Sequence, residues 1–317
     1  MISISNLCEK LKGEKRVALI CHVRPDGDSF GSALALKLSL ETLGILAEVV
    51  CDDTVPSRFL FLNEIREVKN VLSGEYSALI AVDCADINRT GGFAEQFLAH
   101  KNTYNIDHHV SNTRYAKTNY VVDTASNSEN ILNIITELKV PLTKSIANLL
   151  AMGVMTDTGN FHHKNVTENT MLATARLVGA GADLNLIYFY MFTAQSKERA
   201  KLFGLTMSKI RYFHDGRLAM ATVTQKDIEL ACAKSDETEG FIDFVMGILG
   251  VEVGVCLMEM SKNKYKVSFR SKSADVNAVA GTFGGGGHTL ASGCQIQGEY
   301  EEVVDRLQFA VSRVLVD

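Results

Sequence analysis

The chain has 317 residues, of which 46% are hydrophobic and 22% charged, and this ordinary globular composition fits about two domains. Its formal net charge of -5 argues against a protein that coats long nucleic acid, because such binding depends on a basic surface. No apolar stretch reaches the roughly 20 residues of a membrane span, and the first residues lack a signal-peptide core. Seven cysteines without a Cys-x-x-Cys pair fit a reducing compartment. We therefore expect a cytoplasmic protein without a membrane partner.

Short apolar runs alternate with helix-compatible segments through the first third of the chain. The runs that predict strands are 17–21, 46–51, 78–84 and 103–107. The segments that favour helices are 29–43, 56–71 and 92–100, followed by three consecutive helical patterns at 127–138, 143–155 and 167–179. This alternation is typical of βαβ units around a mostly parallel sheet.

The pattern changes beyond residue 183. A helical segment continues to about residue 211, after which strands and helices alternate again. We predict an α/β protein whose first domain, residues 1–185, is a mostly parallel, doubly wound sheet. A helical linker at 186–213 joins it to a smaller α/β domain at 214–317.

The first predicted strand leads into His22-x-x-x-Asp26-x-Asp28, on a turn that Pro25 and Gly27 enforce. A helical pattern follows, with Asp28 and two serines where a helix N-terminus favours capping residues. Imidazole combined with carboxylates suits manganese, iron, cobalt or zinc. Two aspartates at this spacing are better placed to reach two ions than to chelate one. The alternative is an Asx-rich turn with a chance histidine.

Three further polar clusters end predicted elements. Asp83 follows one strand, Asp107-His108-His109 ends another, and Asp157 closes the helix that begins near residue 143. The strand ends should meet at one sheet edge. A carboxylate at a helix C-terminus opposes the macrodipole unless a cation compensates. A capping role for Asp83 and a surface turn for the Asp-His-His run are the alternatives.

The last cluster lies in the second predicted domain. Arg270 can grip a phosphate with its forked guanidinium, and Gly284 to Gly287, followed by His288, could form an anion-binding nest of backbone amides. A flexible loop beside a solvated basic strand is the alternative.

Taken together, these motifs resemble the DHH phosphoesterase superfamily with its DHH-associated C-terminal domain. The resemblance covers nearly the whole chain, every motif is intact, and the length and layout are most similar to the bacterial nano-RNases. It implies hydrolysis of short oligoribonucleotides to mononucleotides and removal of the 3′-phosphate of 3′-phosphoadenosine 5′-phosphate to give AMP. It implies short RNA or DNA oligonucleotides and the bisphosphate as substrates, and it leaves open whether the chain forms a homodimer.

The resemblance also implies roles for individual residues around two Mn²⁺ ions, which other divalent transition ions could replace. His22 and Asp26 would bind one ion, Asp28, His108 and Asp157 the other, and Asp83 would bridge them. His109, held by Asp107, would face the scissile phosphate as the catalytic pair. Arg270, Gly285, Gly286, Gly287 and His288 would contact the phosphates and terminal nucleotide of the substrate.

Two rival functions share some of these features. Another DHH enzyme would have the same metal site, whether a linear dinucleotide phosphodiesterase from cyclic-di-AMP breakdown, a pyrophosphatase or an exopolyphosphatase. The resemblance implies that the pyrophosphatases lack the glycine-rich, His-ended loop, so this loop favours a nucleotide substrate. A non-catalytic RNA-binding module would need none of the six metal-ligand positions.

Overall fold

A computed structural model describes residues 2–315 of the chain. The fold separates into two compact units, one ending at Ala194 and the other beginning at Gln195. This division lies inside the segment predicted as a helical linker. The segment is not one continuous helix, because a π-helical turn at Phe189–Thr193 ends it before a new helix begins at Lys197. Among the described residues, no helix is long and apolar enough to cross a membrane.

The first unit is built on a parallel sheet of five strands, and the mixed α/β fold class predicted from the sequence is confirmed. Its strands are β1 (Arg16–Ile20), β2 (Leu46–Val50), β3 (Ala78–Val82), β4 (Thr103–Asp107) and β5 (Thr118–Val121). Their order is β2-β1-β3-β4-β5, which is a doubly wound arrangement. The strand order reverses between β1 and β3, and the crevice at the carboxyl ends there is where such sheets bind ligands.

Helices cover the sheet because its central strands are apolar on both faces. The helices of this unit are α1 (Ile4–Lys12), α2 (Gly27–Thr42), α3 (Ala94–Ala99), α4 (Asn127–Glu137), α5 (Lys144–Asp157), α6 (Glu168–Gly179) and α7 (Leu184–Tyr188). The predicted helix at 56–71 is wrong, since only two short 3-10 turns form there. The chain then returns along the edge of β2, where Lys69 N donates to Val49 O at 3.0 Å.

Glycines allow α2 and α5 to pack closely. A Cβ atom on Gly31 would lie 2.3 Å from Leu149 O, and one on Gly27 would lie 2.5 Å from Thr156 Oγ1. No side chain fits at such distances, so both positions require glycine. The close packing brings Asp28 at the start of α2 towards Asp157 at the end of α5.

The second unit contains a six-stranded mixed sheet of order β10-β11-β9-β8-β7-β6. Its elements are α8 (Lys197–Met207), β6 (Arg211–Phe213), β7 (Leu218–Val223), α9 (Gln225–Ala231), α10 (Phe241–Met246), β8 (Val253–Ser261), β9 (Lys264–Ser271), α11 (Val276–Gly281), β10 (Gly286–His288), β11 (Ala291–Gln297) and α12 (Tyr300–Ser312). One face packs its alternate apolar side chains, among them Leu257 and Phe269, into a buried core with Leu307 of α12.

Candidate active site

The carboxyl ends of three neighbouring strands supply the polar cluster of the first unit. His22 follows β1, Asp83 follows β3, and Asp107 to His109 end β4. The structure thus brings together side chains that are far apart in sequence but adjacent in the sheet. Asp28 joins them from the first turn of α2, and Asp157 joins them from the last residue of α5.

Asp83 occupies a strained backbone conformation. Its φ of 59° lies in the left-handed region, which is unfavourable for a residue with a Cβ by on the order of 1 kcal/mol. The strand end holds it there, since its N–H donates to Ile106 O at 3.0 Å. The turn directs the carboxylate between two histidines, with Oδ2 3.4 Å from His22 Nε2 and Oδ1 3.4 Å from His108 Nε2. One carboxylate therefore faces both imidazoles.

The first group of potential ligands consists of His22, Asp26 and Asp83. His22 Nε2 also lies 3.5 Å from Asp26 Oδ2, while its Nδ1 lies 2.9 Å from Val23 O. The other carboxylate oxygen of Asp26 caps α2 by accepting hydrogen bonds from Asp28 N and Ser29 N, both at 3.0 Å. The sequence prediction that Asp28 and the following serines cap this helix is therefore wrong, because the helix begins at Gly27, two residues earlier than predicted.

The second group consists of Asp28, His108 and Asp157, whose ligand atoms all lie within 4.8 Å of one another. His108 Nε2 is 3.3 Å from Asp157 Oδ2, and its Nδ1 is 3.0 Å from Thr124 O. A bond from Nδ1–H to a carbonyl leaves Nε2 as the lone pair that a metal would bind. The same reasoning applies to His22 and its contact with Val23.

The cluster fits a metal better than it fits a hydrogen-bonded network. Asp83 Oδ1 and His108 Nε2 are buried and have no hydrogen-bond partner among the described residues. Buried polar atoms without partners are costly, so such a pair needs an explanation. Two ligand atoms that bind the same ion, each at about 2.1 Å, lie roughly 3.0–3.4 Å from each other. The separations between the ligand atoms here are close to this range.

Electrostatics favour cations at the same place. Burial and the nearby charge of Asp83 raise the pKa of Asp28 to about 7. Burial and the charges of Asp28 and Asp83 raise the pKa of Asp157 to about 9. Burial opposes charge on His22 and His108 as well, but contacts with these carboxylates raise the pKa of each imidazole to about 10. The crowded carboxylates thus stay ionised only with compensating positive charge, which bound metal ions would supply.

Asp28 is held by donors that the sequence analysis missed. Its carboxylate accepts from Asn127 N at 2.5 Å and from Ser128 N at 2.9 Å at the N-terminus of α4, and also from Ser128 Oγ at 2.5 Å and Ser32 Oγ at 3.3 Å. Gly153 of α5 leaves room for this contact, because a Cβ there would lie 2.0 Å from Ser128 Oγ and 2.4 Å from Asp28 Oδ1. A glycine inside an apolar helix was the signal in the sequence.

His109 has a different environment from His108. Its side chain is 41% exposed, and its Nδ1 lies 2.8 Å from Asp107 Oδ1. Asp107 is fully buried and also accepts a 2.5 Å hydrogen bond from Asn112 Nδ2, which in turn donates to Asn105 Oδ1 at 2.7 Å. Burial acts to raise the pKa of Asp107, but the bonds from His109 and Asn112 hold it below its usual range. The hydrogen bond to Asp107 raises the pKa of His109, which suits a proton donor.

Arg89 is a second neighbour of the cluster to which the sequence analysis gave no role. Its Nη2 lies 2.8 Å from His22 Nδ1. A guanidinium can only donate, so it competes with the bond from Nδ1–H of His22 to Val23 O. The bond to Val23 is the one that agrees with metal binding through Nε2. The proximity of Asn112 and Arg89 to the cluster is evident only in the folded chain, where the loops after β3 and β4 lie against the strand ends.

Known proteins are similar to this chain over most of its length. Residues 16–154 match the DHH family N-terminal domain, and residues 219–317 match the DHHA1 domain. The chain is 32% identical to the bifunctional oligoribonuclease and PAP phosphatase NrnA of Thermus thermophilus, over 97% of this chain and 94% of that protein. The protein of the same name from Bacillus subtilis is 26% identical over 87% of each chain. The chain belongs to the DHH family.

As a member of the DHH family, the chain is a phosphoric ester hydrolase, and the alternative of a non-catalytic RNA-binding module is wrong. The DHH phosphoesterases depend on metal, in agreement with the acidic and histidine cluster. A solved exopolyphosphatase-related protein from Bacteroides fragilis has the same fold, with a TM-score of 0.81 at 22% identity over 98% of this chain and 95% of that one.

In the DHHA1 domain, Arg270 lies on the face of β9 opposite the buried core. The side chains of Lys266, Ser268 and Arg270 alternate with the buried Val267 and Phe269, and they remain open to solvent or partly so. Arg270 Nη1 donates to Phe269 O at 3.1 Å, which leaves its other N–H groups available. Its proposed contact with a phosphate stays a prediction.

The glycine run differs from the predicted nest. Gly284 N donates to Gly281 O, Gly285 N to Ala280 O, and Gly287 N to Asn277 Oδ1 at 2.8 Å, so three of these amides already have acceptors within the protein. The prediction of a free amide nest is therefore wrong. Glycine is required here for close packing instead, since a Cβ on Gly285 would lie 2.2 Å from Gly293 O. The substrate roles of Gly285, Gly286, Gly287 and His288 stay predictions.

Proposed function

We propose that this protein uses two Mn²⁺ ions to hydrolyse short oligoribonucleotides to mononucleotides and to remove the 3′-phosphate of 3′-phosphoadenosine 5′-phosphate, giving AMP. The observation that carries the proposal is the position of Asp83, whose two carboxylate oxygens are turned towards His22 of the first ligand group and His108 of the second. The NrnA relatives are named for both activities, oligoribonuclease and PAP phosphatase.

Bound in the two groups, divalent ions would supply Lewis acidity and lower the pKa of an attacking water. His22 and Asp26 would hold one ion, and Asp28, His108 and Asp157 the other, with Asp83 shared. Mixed imidazole and carboxylate ligation favours manganese over magnesium, which prefers oxygen ligands and keeps its waters. The buried hydrogen bonds that Asp28 accepts hold its carboxylate in one orientation, and they do not increase its affinity for a proton.

His109 is the residue that we assign to proton transfer. Asp107 fixes its Nδ1, so Nε2 is the atom that can give a proton to the leaving oxygen of the phosphate ester. Partial exposure of the ring lets it reach a bound substrate, whereas His108 next to it is mostly buried. Two adjacent histidines can thus serve different purposes because their side chains leave the strand end in different directions.

Arg270 and the Gly285–His288 strand are proposed to bind the part of the substrate that does not react. A guanidinium binds a phosphate through two parallel hydrogen bonds, which holds the substrate in register. A shallow hollow between β9 and the glycine run, lined by Ser268, Gly284 and Gln295, extends this surface. Short oligonucleotides and a nucleotide bisphosphate both carry a second phosphate for such a contact.

The test is hydrolysis by the purified, metal-stripped chain after addition of Mn²⁺ or Mg²⁺. The substrates are labelled RNAs from dinucleotides to long oligomers, the bisphosphate, and inorganic pyrophosphate. We expect dinucleotides and the bisphosphate to be hydrolysed fastest, with good recovery by Mn²⁺ and poor recovery by Mg²⁺. Preferential hydrolysis of pyrophosphate would overturn the proposed substrate class, and full recovery by Mg²⁺ would contradict histidine ligation.

A further inference from the structure

A cavity of about 300 Å³ in the second unit is not explained by the roles assigned so far. It lies between the loop formed by residues 235–242 and the face of β8 and β9 opposite the core around Leu307, and Arg270 is one of its lining residues. Its volume is at the lower end of the range for sites that enclose small organic ligands. The chemical character of its walls indicates which ligand it fits.

One side of the cavity is apolar. Cys256 and Met258 project from β8 on the face opposite the core, and the buried Ile242 of α10 adjoins them. Ser268, the neighbour of Cys256 in the ladder, adds only a small side chain. A thioether makes favourable contacts with aromatic rings, so Met258 can pack against the face or edge of a planar ring.

The opposite side is a loop with a fixed position. Arg199 of α8 donates to Glu239 O at 2.6 Å, and Ser196 Oγ donates to Glu237 Oε1 at 2.5 Å. Thr238 Oγ1 donates to Ser235 O at 3.0 Å and also lies 3.8 Å from Met258 Sδ, which ties the loop to the floor. The cavity is therefore formed before any ligand arrives, which lowers the entropic cost of binding.

Four charged side chains surround the cavity without pairing with one another. Lys266 and Arg270 lie on one face of β9, about 13 Å apart along the strand at four residues of extended chain. Asp236 and Glu239 belong to the loop. Within residues 2–315, the side-chain charges of Asp236, Glu239 and Lys266 have no hydrogen-bond or ion-pair partner. The lining thus offers unused cations and unused carboxylates on either side of an apolar floor.

A nucleotide matches all three features. Its phosphate can bind Arg270, and its planar base can pack against Met258 on the floor. An exocyclic amino group of the base can donate a hydrogen bond to the carboxylates. We infer that the cavity binds the base of the nucleotide whose phosphate Arg270 contacts, and that Asp236 and Glu239 favour bases with an exocyclic amino group over uracil. This inference rests on the proposed function. Carboxylates accept hydrogen bonds from such amino groups, whereas the carbonyl oxygen of uracil at the same place would face them without a proton.

Equilibrium binding of AMP and UMP to the full-length, manganese-loaded protein tests the inference. We expect wild type to bind AMP about tenfold more tightly than UMP, as for one charge-assisted hydrogen bond. The double variant Asp236→Asn, Glu239→Gln should bring the two affinities within about twofold of each other by weakening AMP. Glu229→Gln, at an exposed carboxylate of α9, is the matched control and should keep the wild-type ratio.

Met258→Ala tests the contribution of the apolar floor apart from that of the loop carboxylates. It should weaken the binding of AMP and of UMP to a similar extent. Equal affinities of wild type for AMP and UMP, absence of binding, or an unchanged ratio in the double variant would each overturn the inference. Neither mononucleotide carries a bond between nucleotides, so binding is measured without the proposed reaction. Base preference without hydrolysis of dinucleotides would refute only the proposed function, and normal hydrolysis with equal binding would refute only the base site.

Discussion

The two polar surfaces of this protein differ in how their side chains are supported. In the proposed metal centre, Asp28, Asp83 and Asp107 are all buried, Asp28 receives hydrogen bonds from α4, 100 residues away in sequence, and Asp107 receives one from nearby Asn112. On the face of β9 opposite the core around Leu307, Lys266 is exposed and Arg270 half-exposed, and within residues 2–315 Arg270 donates a hydrogen bond only to the carbonyl of Phe269. The ligand side chains of the first surface are fixed before it binds anything, whereas the long side chains of Lys266 and Arg270 can adjust their positions beside a cavity that is already formed.

This difference follows from the tasks that we propose for the two surfaces. Ligands of a pair of ions must keep their positions to within a fraction of an ångström, so every ligand needs its own supporting contacts. A phosphate or a base can be held by longer side chains that adjust their positions. Damage to the first surface should therefore abolish chemistry, and damage to the second should weaken binding. Four substitutions test this contrast, in order of decreasing effect.

Asp83→Asn should have the largest effect. The amide cannot serve as an anionic bridge, so we expect loss of at least about 10³-fold in kcat together with loss of bound manganese. The fold should persist, because the change removes one negative charge from a crowded cluster. Activity is measured on dinucleotide, metal content by elemental analysis, and folding by circular dichroism. Wild-type turnover at matched manganese would sink the bridging role.

Gly153→Ala should have the next largest effect, although no ligand is changed. The new Cβ would lie 2.0 Å from Ser128 Oγ and 2.4 Å from Asp28 Oδ1, so Asp28 must move. We expect a loss of about 100-fold in activity, as for mutation of residues that orient metal ligands, and overpacking that lowers the free energy of unfolding by about 1–3 kcal/mol.

The matched control is Gly204→Ala in α8, where a Cβ would meet no atom within 4 Å. It should raise stability by about 0.5–1 kcal/mol and leave activity unchanged, because alanine is the better helix former. Thermal unfolding and manganese titration compare the two variants. If both variants behaved alike, the close contact at Gly153 would have no functional role.

The polar residues of both units show what the sequence could and could not predict. The strand ends that carry His22, Asp83 and Asp107 were predictable, because apolar runs followed by polar residues locate the edge of a parallel sheet. The structure brings these residues together as expected, while their roles as ligands stay proposals. The support of Asp28 by Ser128 was not predictable, since 100 residues separate them. The glycine run was misread because three of its amides find acceptors in α11, and only the folded chain places α11 beside them.

Arg270→Ala should affect binding more than chemistry. Loss of a bidentate contact to a phosphate that does not react should raise KM for dinucleotides and for the bisphosphate by about tenfold or more, with manganese content unchanged. The artificial ester bis(p-nitrophenyl) phosphate has no second phosphate, so its hydrolysis should be nearly normal. Lys262→Ala, in the exposed turn between β8 and β9, is the control. Equal losses on both substrates would mean that Arg270 serves the chemical step or the fold.

Asn112→Ala should have the smallest effect, and this effect should be confined to the proton transfer that we assign to His109. Asn112 Nδ2 donates to the Asp107 oxygen that does not face His109, so its loss should let the Asp107–His109 pair move without breaking it. We expect kcat for dinucleotides to fall about tenfold with KM unchanged, a typical effect for a group that orients a catalytic residue.

The leaving group distinguishes this role from simple structural damage. p-Nitrophenolate leaves without a proton, so Asn112→Ala should hydrolyse bis(p-nitrophenyl) phosphate at nearly the wild-type rate if His109 acts as the acid. Asp83→Asn and Gly153→Ala should lose activity on this ester, because their defect is in the ions. The control Asn185→Ala changes an exposed side chain of α7 and should leave both substrates unaffected. A loss on the artificial ester as large as on the dinucleotide would place Asn112 with the supports of the metal centre, and the separate role of His109 would have to be abandoned.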